Sequence, residues 1–563
     1  MKRRNVLHLL ALLLVFLTPQ TIVKGALENR PNAPDAWSVV APGIEYQKYH
    51  LSISGRPVNI FVTRMDRSYT GATIESSIAQ GKLSGGTETV GGMASRYDQA
   101  INYWGETWGN RNRVVVAING YFFGPQDEPY GVPWSGVVQS GWYAKRFTET
   151  RGDAGFTWTL DRQAFIGKCV SHPAEKNDVT FPNAASYNPN IDAVNVARSD
   201  EQLILYTPQF DATTALEGST PRAEILVELS RPALLISDPL NVQGTIRGIR
   251  KNNGSTPIPF DHVVLAAWGG VGDAIVSRIN SDDIQVGDPV RITQEIRDCP
   301  VEPVQHDWSK AYASLGGDYH FLRSRTYYAP NNPDATVRNS RTAIAYNAAY
   351  VYFIVVDAFD PGVSVGITIS DLSSFLRNSL SATDAVSLDS GTSSTMVVNG
   401  QIVNNTYCNY TRQCGTQSGS VATGQPSSGS SIEWNSAADQ ANVGSGMMMV
   451  VVEQQARSDA LAPAQIVTTT DQTSLRLGPG TNYATLTTLA SGVQGIVQSH
   501  GLDGVLAKGS CWWKVAFGGN VGWVKQESLR GQEIPPPPRT PGDFSSFLPF
   551  LSTTQSYQPA CGG

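Results

Sequence analysis

The chain has 563 residues, more than one core ordinarily holds, so a large domain and at least one smaller one are expected. Hydrophobic residues make up 41% and charged residues 16%, a globular composition, while 53 Gly and 33 Pro point to the many turns of a β-rich fold. A net charge of −6 argues against a nucleic-acid partner, which needs a concentrated basic face.

The chain opens with Lys2, Arg3 and Arg4 and an apolar run over 6–17. About a dozen residues are too few to cross a bilayer, and the small Val23 and Gly25 follow, so 1–25 reads as a cleavable signal peptide. No Cys stands there to carry a lipid anchor, and no later stretch is long and apolar enough to span a membrane. An exported protein is therefore expected. Cys169, Cys299, Cys408, Cys414, Cys511 and Cys561 all follow the signal, an even count that permits disulfides. Cys408 and Cys414 are near enough to close one loop and form the single candidate pair. No spacing is CxxC and no His pair lies nearby, so neither metal nor cofactor is expected, although two nearby carboxylates have the chemistry to hold Ca2+.

Residues 36–453 read as one large α+β domain of mixed sheets and few helices. Apolar runs at 58–62, 114–118, 203–206, 225–227, 263–266, 342–346 and 350–356 predict strands, many of them buried on both faces. Three of these runs end abruptly in polar or Gly-rich residues, where rigid strands commonly present functional groups. The first, 114–118, runs into Asn119-Gly120-Tyr121-Phe122-Phe123, where Gly120 allows a sharp turn and Asn119 offers an amide. The second begins at Ser340-Arg341-Thr342 and returns along 350–356 to Asp357. A carboxylate closing a buried strand needs a partner or a cavity, and Arg341 is the expected partner, as an anion clamp or as a buried ion pair. A helix follows, with Thr368 as its cap, Asp371 three residues on, and Leu372, Phe375, Leu376 and Leu380 at helical spacing. The third run, 385–388, ends in Asp389-Ser390-Gly391-Thr392-Ser393-Ser394-Thr395, whose small residues let backbone N–H groups and hydroxyls converge on an anion.

Residues 454–464 are polar and Ala-rich and read as a linker. The region 465–530 has a different grammar. Leu475-Arg476-Leu477-Gly478-Pro479-Gly480 runs a strand into a tight turn, and Cys511-Trp512-Trp513-Lys514-Val515 and Gly522-Trp523-Val524 read as strands. Tyr483, Trp512, Trp513 and Trp523 include at least two core residues in so small a unit. From 531 the chain becomes rich in Pro, Ser and Gly, and 531–563 reads as a poorly ordered tail.

Asp389-Ser390-Gly391 has the form of an aspartic-protease turn, but no second Asp-Ser/Thr-Gly occurs in the chain to share a proton with it. A different resemblance covers most of 36–452. Asn119 to Phe123 matches "NGxFF"; Asp192-Ala193-Val194-Asn195-Val196-Ala197-Arg198 with Tyr206-Thr207 resembles "DGxNxxR…YT"; Arg341-Thr342-Ala343 matches "RTA"; Asp357 stands at "VDG"; Leu388 to Met396 stands at "LDGGGSSTM". In that order these motifs resemble the phosphodiester glycosidases. The turn at 475–480 with the Trp-rich strands resembles bacterial SH3 domains, which implies binding of cell-wall peptide or polysaccharide.

The resemblance implies an exported hydrolase that cuts the C1–O bond of a sugar joined through phosphate to an alcohol. The leaving group is a phosphate monoester with a second pKa of about 6, so it needs charge stabilisation more than a proton donor. It also implies a carboxylate to activate water or to support the oxocarbenium-like centre. Arg341 and Ser390, Gly391, Thr392, Ser393, Ser394 and Thr395 are then expected to hold phosphate. Asp357 and Asp389 are the catalytic carboxylates, and Asn119, Gly120, Asn195 and Arg198 contact substrate. Several positions depart from the pattern. Ser390 and Thr392 replace glycines, Ala358 follows Asp357, Asn404-Asn405 begins an insertion, and Asp439 to Val443 lacks the usual "ERxV". They leave open a non-catalytic carbohydrate-binding protein on the same fold.

Overall fold

The computed structural model describes residues 36–105, 107–124, 130–147, 154–196, 202–214, 220–236, 238–406, 414–416, 421–422 and 439–532. The expected signal segment 1–25, the tail from 533, Arg198 and Cys408 lie outside the described residues. The fold is strand-rich, with three α-helices among the described residues: Val90–Tyr97, Gly269–Asn280 and Ile369–Ser379. None of these helices is long and apolar enough to cross a membrane.

Two sheets face each other across the main core. One has eight strands and is centred on Arg56–Asp66, Tyr350–Val356, Arg341–Tyr346 and Asp384–Ser387, in that spatial order. The other has six and is centred on Met396–Val398, Thr107–Asn119, Ser445–Glu453 and Ala72–Ile78. The continuous apolar runs have a simple cause. Successive side chains on a strand point to opposite faces. Val351, Phe353 and Val355 therefore enter the core between the sheets, while Tyr352, Ile354 and Val356 enter a second core beneath a helix. That helix is Ile369–Ser379. Thr368 caps it by accepting the Asp371 N–H at 3.1 Å, and Leu372, Phe375 and Leu376 are buried. Each such side chain contributes about 1.5–3 kcal/mol on burial. On the far side, Val90, Met93 and Ala94 of the helix Val90–Tyr97 cover Ala117, Met448 and Val450. The result is a helix–sheet–sheet–helix stack.

A five-stranded sheet (Ala164–Lys168, Ala154–Thr159, Ala311–Gly317, Val137–Gln139, Trp142–Lys145) adjoins this stack. Between its strands Ala164–Lys168 and Ala311–Gly317 the chain makes a long excursion. A complete seven-stranded sheet, from Asn177–Thr180 to Pro289–Gln294, lies within it. All its pairings are antiparallel except Ala193–Val194 with Leu203–Tyr206. A disulfide joins Cys169 to Cys299 at the neck of the excursion. The expectation of a single pair at Cys408 and Cys414 is corrected to that extent. The two cysteines are 130 positions apart in sequence, but the short ladder of Val170–Ser171 with Arg297–Asp298 brings them opposite each other.

The C-terminal region forms a separate eight-stranded antiparallel sheet over 466–531. Trp512, Trp513 and Trp523 are all buried in it. The stretch 454–464 runs along this module, with Ser458 N–H donating to the Gly504 carbonyl at 2.8 Å and Leu506 N–H to that of Ala456 at 2.8 Å. The module docks on both the main body and the excursion. Phe260 of the excursion stacks on Trp108 of the body (centroids 5.3 Å, planes at 8°) and meets Tyr483 and Trp523 of the module. Lys508 of the module donates to the carbonyls of Ser95, Arg96 and Asp98, at the C-terminal end of the helix Val90–Tyr97. A cation there complements the helix dipole. Asp261 meets its neighbour His262 at 2.5 Å and, across the same interface, His500 at 3.0 Å and Lys514 at 3.6 Å.

Candidate active site

The ends of four strands from the two facing sheets converge, and Asn119 ties them together. It is fully buried at the end of Thr107–Asn119. Its amide donates to the Asp389 carbonyl at 2.8 Å, and its oxygen accepts from the Thr342 hydroxyl at 2.7 Å and the Thr395 N–H at 3.2 Å. Gly120 follows because no side chain fits: a Cβ there would lie 2.4 Å from Ser445 Oγ. Asn119 thus joins both sheets to the loop after Asp389 with its own polar atoms.

A cavity of about 190 Å3 opens beside this junction, lined by Phe122, Asp318, Tyr319, Asp334, Arg341 and Asp389 among others. Asp389 is buried. Its carboxylate accepts from the Ser390 N–H at 2.8 Å and the Ser393 hydroxyl at 2.6 Å. Gly391 sits in the left-handed region at φ +73, which favours glycine, and its carbonyl accepts from Ser340 Oγ at 2.8 Å. The Ser394 N–H bonds to the Gly391 carbonyl at 3.2 Å. With the N–H groups of Ser390, Ser394 and Thr395 engaged inside the protein, at most those of Gly391 and Thr392 remain for a ligand. Thr392 is buried in the turn, and the Ser394 and Thr395 hydroxyl oxygens are buried without a partner.

Arg341 enters the cavity, but it is not paired with Asp357. The two strands do pair, and Arg341 stands opposite Val356. Asp357 is one residue further on, so alternation sends its side chain to the other face. The Arg341 guanidinium instead donates to the carbonyls of Asp334 (2.5 Å), Val337 (2.8 Å) and Ile367 (3.4 Å). Burial lowers its pKa, against the pull of Tyr319, Asp334 and Asp318. Asp357 accepts from the Asn405 N–H at 3.0 Å and Asn404 Nδ2 at 3.3 Å, so the departure at 404–405 supplies its partners. Burial pushes its pKa to about 7, with those hydrogen bonds opposing. Among the described residues it does not line the cavity.

Asp318 does line it, and the motifs did not mark it. Burial raises its pKa to about 7; Tyr319 opposes, the Asp389 charge adds to the rise, and Arg341 opposes. A signal was present, since Asp318 directly follows the apolar strand Ala311–Gly317, the same design as at Asp357 and Asp389. Asn195 lies elsewhere. It is buried beside the seven-stranded sheet, where its side chain binds the Ala144 carbonyl at 2.6 Å, the Thr207 hydroxyl at 2.8 Å and the Thr207 N–H at 2.8 Å. Arg198 lies outside the described residues.

A family model described as phosphodiester glycosidase matches residues 274–422, the stretch that supplies Asp318, Arg341, Asp357 and Asp389. A search of curated proteins returns no match. Among solved structures, the chain resembles a hypothetical protein from Synechocystis (15% identity, TM-score 0.45), covering 73% of this chain and 62% of that one. It also resembles a Burkholderia pseudomallei protein described as exported (16% identity, TM-score 0.42, covering 71% and 74%). A third resemblance is to the zebrafish N-acetylglucosamine-1-phosphodiester alpha-N-acetylglucosaminidase catalytic domain, auto-inhibited by its pro-peptide (12% identity, TM-score 0.33, covering 75% and 88%). The chain thus spans under two thirds of the first of these proteins.

Proposed function

We propose that the protein is an exported hydrolase that cleaves a sugar-1-phosphodiester between C1 and oxygen, releasing a phosphate monoester. The observation that carries this reading is the cavity in which the Arg341 guanidinium stands with Asp318 and Asp389, inside the segment matched by the phosphodiester glycosidase model. The chemistry is consistent. A guanidinium and the N–H groups of Gly391 and Thr392 compensate charge on the departing phosphate. Asp389, the acceptor of the Ser390 and Ser393 hydrogen bonds, is the carboxylate that supports positive charge at C1 or activates water. Asp318, titrating near neutrality, exchanges a proton with the leaving oxygen or the attacking water. Asn119 and Asp357 act through others: one fixes the Asp389 loop, the other fixes Asn404 and Asn405.

In this reading 1–25 directs export, the mature protein is secreted or wall-associated, and the SH3-like region 465–530 binds wall peptide or polysaccharide. The decisive experiment is hydrolysis of a synthetic GlcNAc-1-phosphodiester beside a plain aryl glycoside. Cleavage of the diester alone, lost in Asp389→Asn, is expected. A second reading, a carbohydrate-binding protein without activity, draws on the three backbone carbonyls that already occupy Arg341. It predicts saturable binding of the diester with no turnover.

A further inference from the structure

Body, excursion and module meet around a second cavity of about 300 Å3, which shares no lining residue with the first. That size is at the small end of the roughly 300–1,000 Å3 range of small-molecule sites. We propose that this junction is a binding site for a neutral saccharide, with room for a mono- or disaccharide unit.

The lining matches that chemistry. Tyr103, Trp108 and Tyr483 supply aromatic surface, and Asn102, Gln209 and Asn482 supply carboxamides. Sugar rings offer C–H faces to aromatic rings and hydroxyls to amides, and such sites combine an apolar wall with a few placed polar groups. The two cations on the wall are already paired. Arg96 meets Glu88 at 3.0 Å and donates to the Ile78 carbonyl at 2.7 Å; Lys82 meets Asp211 at 3.3 Å. The charge is internally balanced, which favours a neutral ligand over a phosphate.

A second observation points to a ligand with O–H donors. Asn102 is 3% exposed, and its Oδ1 has no hydrogen-bond partner; nor has Asn482 Oδ1 on the module side. Buried acceptors in native proteins are nearly always satisfied. The Asn102 amide is oriented from behind. Its Nδ2 donates to Tyr312 Oη at 3.3 Å, Tyr312 donates to Glu75, and Glu75 also accepts from Ser140 Oγ at 2.9 Å. Burial raises the Glu75 pKa to about 7, with the Tyr312 and Ser140 hydrogen bonds opposing. The network engages the Asn102 nitrogen and leaves its buried oxygen as the unsatisfied acceptor of that amide.

The site exists only when the module is docked, because Leu477, Asn482, Tyr483 and Ala484 close one side of it. The test is calorimetric titration of the full chain with neutral oligomers of glucose and of N-acetylglucosamine. Saturable binding is expected, lost in Ala484→Trp, which fills the cavity from its exposed rim, weakened several-fold in Asn482→Ala, and unchanged in Asp389→Asn. Circular dichroism melting of each variant checks folding. Absence of binding to every oligomer overturns the proposal. So does binding that survives both rim variants, or that disappears with Asp389→Asn. A peptide that saturates the site where no saccharide does overturns it in favour of a peptide groove.

Discussion

Asp261 and Asp357 are equally hidden from solvent, at 6% and 3% exposure, yet their carboxyls behave oppositely. Burial pushes both up. At Asp261 the hydrogen bonds of His262 and His500 and the charge of Lys514 outweigh burial and hold the group well below the usual carboxylate range. At Asp357 an amide and a backbone N–H oppose burial weakly, and the group stays near 7. Asp318 in the cavity, with Arg341 opposed by Asp389, resembles Asp357. Burial alone therefore does not mark a working carboxyl. What separates the interface from the strand ends is whether strong hydrogen-bond donors and a cation close the group off. A titratable carboxyl facing a cavity is poised for proton transfer, whereas a carboxylate closed off by ring N–H donors and a lysine is committed to holding two units together.

Four changes sharpen this contrast or break it. The largest effect is expected from Asp389→Asn, which should cut diester hydrolysis by about 10²–10⁴-fold while leaving the melting temperature near wild type. If Asp261→Asn lost as much turnover while still folded, the distinction between the two regions would fail. Next, wild-type turnover should change through a group titrating near pH 7, and Asp318→Asn should remove that limb of the profile. A limb that persists in the variant assigns it to another group. Third, Asp261→Ala removes the shared acceptor of His262 and His500 and leaves Lys514 with Glu228 alone; it should cost about 3 kcal/mol in urea unfolding, with earlier proteolytic release of 466–531. The smallest effect is expected from Lys508→Met, about 1 kcal/mol, because it removes one helix-terminal cation.

The pH dependence of stability offers a separate reading of the same contrast. Glu75 and Asp357 have folded-state pKa values near 7, above their unfolded values, so the folded state binds more protons in between. Stability is then greatest below about pH 4 for these groups and is lost as pH rises through 7, by a few kcal/mol in order of magnitude. Asp261 has the opposite sign: its contribution is present above the unfolded value and is lost as pH falls through its depressed one. Glu75→Gln should therefore narrow the stability difference between pH 5 and pH 8.

Much of the stack was legible in the sequence. Continuous apolar runs such as 350–356, the Thr368 cap and the helical spacing of Leu372, Phe375 and Leu376 are local signals, and they produced the expected elements. The strand ends at Asn119, Asp357 and Asp389 were visible as three runs of one design, but which of them meet at the cavity was not, since Asp357 lies outside its lining. Other features depend on contacts that no local pattern carries. Cys169 and Cys299 meet through a two-residue ladder. The helix Val90–Tyr97 contains two glycines, and its last carbonyls are satisfied by Lys508, more than 400 positions away. Arg341 and Asp357 were close in the expected hairpin, but strand alternation put them on opposite faces.

The disulfide at the neck of the excursion has a mechanical consequence. A force applied to the two ends of the chain passes from Cys169 to Cys299 through the sulfur bridge, across a Cα–Cα distance of 5.2 Å. The intervening segment, 130 positions in sequence separation, carries none of that load, and roughly 450 Å of contour length stays out of reach while the bond is intact. Under tension applied to the chain ends, the seven-stranded sheet is a region that the load bypasses, and reduction of one bond would bring it into the load path.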